Sequence, residues 1–149
     1  MVTSETFVRD SIFFIKNDLV SNITDPLSTK RDSDSKFVMT SYPQRKAQYP
    51  LITVGLENAD AKRTGMQTNA MDMDLTFEVR VWARNVKERD ELFEDVLNRL
   101  RTIQFTGSGS VNADLHDFNI TSTVNVDEAG EGGVHSKVIT ATYKFINIS

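Results

Sequence analysis

Positions 71–83 alternate without a break. The odd positions are apolar (Met71, Met73, Leu75, Phe77, Val79, Val81, Ala83), whereas the even ones are Asp72, Asp74, Thr76, Glu78, Arg80 and Trp82. A period of two marks a strand with one buried face. After Asn85 the period changes: Leu92, Phe93, Val96, Leu97, Leu100 and Ile103 form one apolar stripe on a helix. Asn85, with Glu88 three residues on, reads as an N-cap, and the charges run from acidic (Glu88, Asp90, Glu91) to basic (Arg99, Arg101), as the helix dipole favours. The helix is expected to lie across the strand's odd face.

The remaining segments supply partners for that unit. Val8, Ile12, Ile15, Leu19 and Ile23 are spaced by three or four, which predicts a first helix over residues 4–23, stopped by Asp25-Pro26. Residues 27–36 are polar and read as a mobile loop, followed by a short strand over 37–42. Two Tyr-Pro pairs, at 42–43 and 49–50, bracket a basic connection to a strand over 51–57, in which Ile52, Val54 and Leu56 face one way. Residues 58–70 and 106–117 read as long loops, of the kind that often carries function. Phe118, Ile120, Val124 and Val126 give a fourth strand. The glycine-rich residues 127–133 give a hairpin connection to a fifth over 136–146, which buries Ile139, Ala141, Tyr143 and Phe145. The expected fold is α+β: a mostly antiparallel sheet of about five strands with two helices packed on one face, in the order α-β-β-β-α-β-β. Its first and last strands are expected to be open edges, which must be covered, charged or paired.

A chain of 149 residues is expected to form a single domain. Hydrophobic residues make up 39% and charged residues 26%, the balance of a soluble globular protein. The net charge of −4 argues against bulk nucleic-acid binding. Cysteine is absent, which excludes disulfides, thiolate catalysis and cysteine-ligated zinc. No apolar run approaches a membrane span or a signal peptide, so no membrane partner is expected and assembly in a reducing cytoplasm is. The Asn-x-Ser/Thr triplets at Asn22, Asn119 and Asn147 read as chance.

The search for chemistry returns little. His116, between Asp114 and Asp117, has the residue types of a metal or general-base cluster, but a solvated loop histidine is the commoner explanation, and His135 lies in another loop. Asp72 and Asp74 share a strand face, the usual position of solvent-facing charges. The glycines at 107–109 and 130–133 neither precede a helix nor lead into Gly-Lys-Ser/Thr, so no phosphate loop is read. Neither an enzyme nor a cofactor is expected. Trp82, the only tryptophan, stands on the polar face of the central strand beside Arg80 and Arg84, residue types enriched at interface hot spots, so these three form a candidate subunit interface. Cover from a neighbouring loop would explain Trp82 as well.

The first amphipathic helix, the Tyr-Pro-Leu-Ile-Thr-Val strand entry at 49–54, the alternating strand at 74–82, the helix at 90–103 and the closing hairpin together resemble the tail terminator, or tail-completion, proteins of long-tailed bacteriophages. The resemblance spans nearly the whole chain and is one of order and length. It implies a non-enzymatic virion protein of the neck, at the top of the tail, that forms a homo-oligomer, a hexameric ring on the last tail-tube ring. Such a ring ends elongation and docks the head-completion (connector) protein, with DNA only passing through its lumen. The tail tube protein and the connector are then the partners, and Lys30, Arg31, Lys62, Arg63 and His116 are candidate contacts on the projecting loops. Another neck or minor tail protein, and a small non-enzymatic adaptor, are the alternatives.

Overall fold

The computed structural model describes residues 7–27, 30, 37–41, 48–63, 71–106, 115–127 and 134–147. Their elements run α1 (Phe7–Asn22), β1 (Val38–Met39), β2 (Leu51–Arg63), β3 (Met71–Ala83), α2 (Val86–Thr106), β4 (Leu115–Asp127) and β5 (His135–Asn147). The order is the expected α-β-β-β-α-β-β. The strands form one sheet in the order β1-β2-β3-β5-β4. It is mixed: β1 runs parallel to β2, and the other pairs are antiparallel. The two-residue β1 is shorter than the expected strand over 37–42. β1 is outermost, as expected of the first strand, but the chain's last strand is not an edge, because β5 is inserted between β3 and β4 and leaves β4 outermost.

Both helices cover the face carrying Leu75, Phe77, Val79, Val81 and Ala83, all of them buried. Ile52 and Val54 of β2, Ile139, Ala141 and Tyr143 of β5 and Phe118 of β4 join them. From above they are closed by Ile15 and Leu19 of α1 and by Leu92, Phe93, Val96, Leu100 and Ile103 of α2. Side chains of Val8, Met71, Met73 and Phe145, also expected in this core, lie outside the described residues. The apolar period of each element therefore set its orientation, since removing each such side chain from water is worth about 1.5–3 kcal/mol.

Local chemistry fixes the helix ends. The Asn85 side-chain oxygen accepts from the Glu88 amide at 2.7 Å, which is the expected N-cap. At the end of α1 the Ile23 amide donates to Leu19 O, and the Asp25 carboxylate accepts from the Leu27 amide two residues on, turning the chain away from the helix before Pro26. The expected basic end of α2 is not found, because the helix runs on to Thr106 and its last turn holds no basic residue. Arg99 instead reaches α1, donating from Nε and Nη2 to the two oxygens of Asp18 at 2.6 and 2.9 Å. This fork clamps the helices together and holds the Arg99 guanidinium above its ordinary pKa through the hydrogen bond to Asp18.

Two of the expected loops are partly strand. Residues 58–63 continue β2 past a bulge between Leu56 and Asn58, and residues 115–117 begin β4. The only apolar residues here are Ala59 and Ala61, small side chains between polar ones, and Leu115, a weak signal; strand conformation comes from backbone pairing with β3 and β5. Most of the 27–36 loop, residues 42–47, the Gly-rich segments at 107–110 and 128–133, and Arg31 lie outside the described residues.

Candidate subunit and particle interface

The second sheet face has no described element over it. Its residues are Leu51, Thr53 and Gly55 on β2, Thr76, Glu78, Arg80 and Trp82 on β3, Ser136, Val138, Thr140 and Thr142 on β5, and Ser122 and Val124 on β4, as register and strand period require; Leu51, Ser136 and Val138 are buried, whereas Ser122 and Val124 are exposed. Trp82 is half-buried there rather than stranded in solvent. Its indole N–H donates to Thr53 Oγ1 at 3.1 Å, and the Arg80 guanidinium lies 4.9 Å from the centre of its ring. Arg80 is held in turn by Glu78, with both Nε and Nη2 at 3.0 Å from the same carboxylate oxygen. Arg84, one residue past the strand, stacks 5.1 Å over the ring of Tyr49. The Tyr49–Pro50 peptide is cis.

A guanidinium over an aromatic face, fixed by a carboxylate, is a preordered surface with little rotamer freedom left to lose on contact. Sequence reading found Arg80, Trp82 and Arg84 but missed Thr53, Glu78 and Tyr49, which hold them in place. The strand period put Glu78 on the same face; the roles of Thr53 and Tyr49 depend on the β2–β3 register, which no local signal announces.

Lys62, Arg63 and His116 fall at the far end of the sheet. Lys62 and Arg63 close β2 opposite Asp72 and Met71, and His116 lies near the start of β4 opposite Lys144. Trp82 pairs with Leu51 at the start of β2, and Ala83 with His135 at the start of β5. Strands of 13 residues separate the two ends by about 40 Å. His116 is therefore a strand residue, not a loop residue, and it stands across the sheet from Lys62 and Arg63. Lys30 occupies an exposed turn after α1, its amide donating to Leu27 O at 2.9 Å. The side chains of Lys62, Arg63 and His116 lie outside the described residues. Among the described residues, no three of His, Cys, Asp and Glu gather as a metal site would require, and no helix is long and apolar enough to cross a membrane.

No family model matches the sequence, and no curated protein is similar to it. Solved structures do match its fold. One is a chain of the virion of a native gene transfer agent (GTA) particle, with a TM-score of 0.50 over 89% of this chain and 92% of that chain, at 9% sequence identity. Likeness at that identity establishes a shared fold.

Proposed function

We propose that this chain is a structural protein of a phage-like virion, and that it forms a ring, of six copies, capping the tail tube and offering a docking face to the head connector. The observation that carries the reading is the shared fold with a virion chain across nearly the full length of both. The second sheet face supports it, because a face on which Trp82, Arg80 and Glu78 are already ordered is suited to burial against another subunit. The separation of the two sheet ends supports it as well. In a ring with the strands running near the axis, one end meets the tube and the other the connector, with Lys62, Arg63 and His116 at one end and Tyr49 and Arg84 at the other. Catalysis forms no part of this role.

Native mass across a concentration series is the deciding experiment. Six copies of 16.8 kDa give a species of about 101 kDa. Its appearance, together with arrest of tail-tube growth when the ring is added, is the expected result. A chain that stays at 16.8 kDa up to millimolar concentration overturns the reading, and a ring that ignores tail tubes moves it to another neck position. Trp82→Ala and Arg80→Glu are expected to weaken the ring more than the monomer, which loses only the Trp82–Thr53 hydrogen bond or the Arg80–Glu78 pair and the stacking of Arg80 on Trp82.

A further inference from the structure

We infer that the copies in this ring stack layer on layer, the helical side of one against the arginine-bearing sheet side of the next, with Arg84 entering a groove along the outer flank of α2. The inference rests on the ring reading above and adds which surfaces make it.

Two recesses form the groove. One, of about 420 Å³, lies between the end of α1 and the second half of α2, against Asn22, Asn98 and Thr102. The other, of about 320 Å³, runs on to the first turn of α2, against Pro26, Asn85 and Glu88. They share Thr24 and Asp95, so together they follow α2 for about 25 Å. Glu88, Glu91 and Asp95 line this groove against one lysine, Lys87, while Arg99 is already committed to Asp18. Glu91 is exposed and engaged only by Lys87 at 3.9 Å; Asp95 is exposed and meets no cation among the described residues. Such a groove favours a cationic guest and repels an anionic one.

The chain carries that guest on its opposite side. Arg84 is exposed, faces no carboxylate of its own copy among the described residues, and is held in place by its stacking 5.1 Å over the Tyr49 ring. The strand period puts it on the side of Arg80, which Trp82 and Glu78 already align. α2 covers one face of the sheet and Arg80 stands on the other, so groove and guest face opposite ways. A ring closes through a contact of this kind, between two different surfaces.

Groove and guest also stand at one level. Lys137, the third residue of β5, lies 3.8 Å from Asp90 and 4.3 Å from the centre of the Phe93 ring, which sets the first two turns of α2 above the sheet end where Arg84 leaves β3. From there Glu88 to Asp95 covers about 10 Å of helix, and Arg84 back to Arg80 about 13 Å of chain. Copies in a ring share one height, so surfaces that meet must be level.

Two charge reversals and their mixture are the test. Glu91→Lys with Asp95→Lys makes the groove cationic, and Arg84→Glu, in a separate chain, makes the guest anionic. All three positions are exposed, so each monomer should keep its circular dichroism, although Arg84→Glu gives up the stacking on Tyr49 and Glu91→Lys the contact with Lys87. Each variant alone is expected to need at least tenfold higher concentration to assemble by native mass. Mixed in equal amounts they should assemble again, because a ring of six can alternate the two, and every groove then meets a guest of opposite charge. That recovery also excludes misfolding as the cause of the loss. The contact is overturned, with the ring intact, if either variant alone assembles like the wild type, or if the mixture assembles no better than its parts. A wild-type chain that is monomeric at every concentration overturns contact and ring together.

Discussion

β3 and β4 are both 13 residues long, yet they are held in different ways. β3 has a neighbour on each side, and every inward side chain from Leu75 to Ala83 is fully buried. Among the described residues β4 has one neighbouring strand; it buries Phe118, half-buries Ile120, and leaves residues 121–125 exposed whichever way they point. Thr121 uses its hydroxyl to donate to Thr140 O, a contact across the ladder rather than into a core. The central strand is thus a packing element, and the outer strand is a backbone element anchored at one point.

Truncation of the two strands should separate these cases most widely. Phe77 is fully buried and meets the Tyr143 ring edge-on at 5.8 Å, so Phe77→Ala is expected to cost about 3–5 kcal/mol. Val124→Ala, at a side chain 52% exposed, should change stability by less than about 0.5 kcal/mol. Denaturant unfolding of the two variants gives both numbers. Equal losses would mean that β4 is packed in solution and would remove the distinction.

The same contrast decides what could be read in advance. β3 and α2 were legible to within about a residue because their two faces differ in polarity, and a face that differs is a face that is buried. Asn85 was legible because capping needs only its neighbours. The outer halves of β2 and the start of β4 were not legible, since Ala59, Asp60 and Ala61, like Leu115, His116 and Asp117, hold strand conformation through partners far away in the chain. The placement of β5 between β3 and β4, and the parallel run of β1, are likewise properties of the whole sheet. At the candidate interface, composition singled out Trp82, Arg80 and Arg84; the residues that orient them come from other strands or connections and carried no comparable signal.

A middle-sized effect is expected where the helices meet above β3. Asp18 and Arg99 are mostly shielded, with side chains 14% and 29% exposed, and their two-pronged contact joins elements 81 residues apart. Arg99→Ala leaves the Asp18 carboxylate without its guanidinium, and should cost about 1–3 kcal/mol. Arg99→Lys, which keeps charge but not the fork, should recover only part of that. Full recovery with lysine would reduce the contact to simple charge attraction. Loss of Arg99 should also speed amide exchange in α1 more than in β3, as α1 covers the sheet near β1 and β2 and depends on α2 for its tether.

A small change at neutral pH is also expected at Tyr143, the residue of β5 that touches both strands compared above. Its ring lies against Phe77 of β3 and, at 4.5 Å, against Phe118 of β4, with Phe14 of α1 on a third side. Its hydroxyl is fully buried and has no hydrogen-bond partner among the described residues. Removing a buried polar group that makes no bond sacrifices nothing but its own desolvation cost, so Tyr143→Phe should shift stability by less than about 1 kcal/mol in either direction. The pH dependence is where the two proteins part. Burial, with a smaller contribution from Asp18, pushes the Tyr143 hydroxyl well above its ordinary pKa of 10.0. The folded chain therefore keeps this proton where the unfolded chain gives it up. Stability tied to the neutral hydroxyl is complete below pH 10 and is lost as pH climbs past it, by up to about 1.4 kcal/mol per pH unit. Tyr143→Phe removes that loss, so the variant should overtake the wild type above pH 10 in denaturant unfolding. Parallel curves for the two proteins from pH 8 to 11 would mean that the hydroxyl reaches water in solution, and that the junction between the packed strand and the edge strand is looser than the contacts of Tyr143 imply.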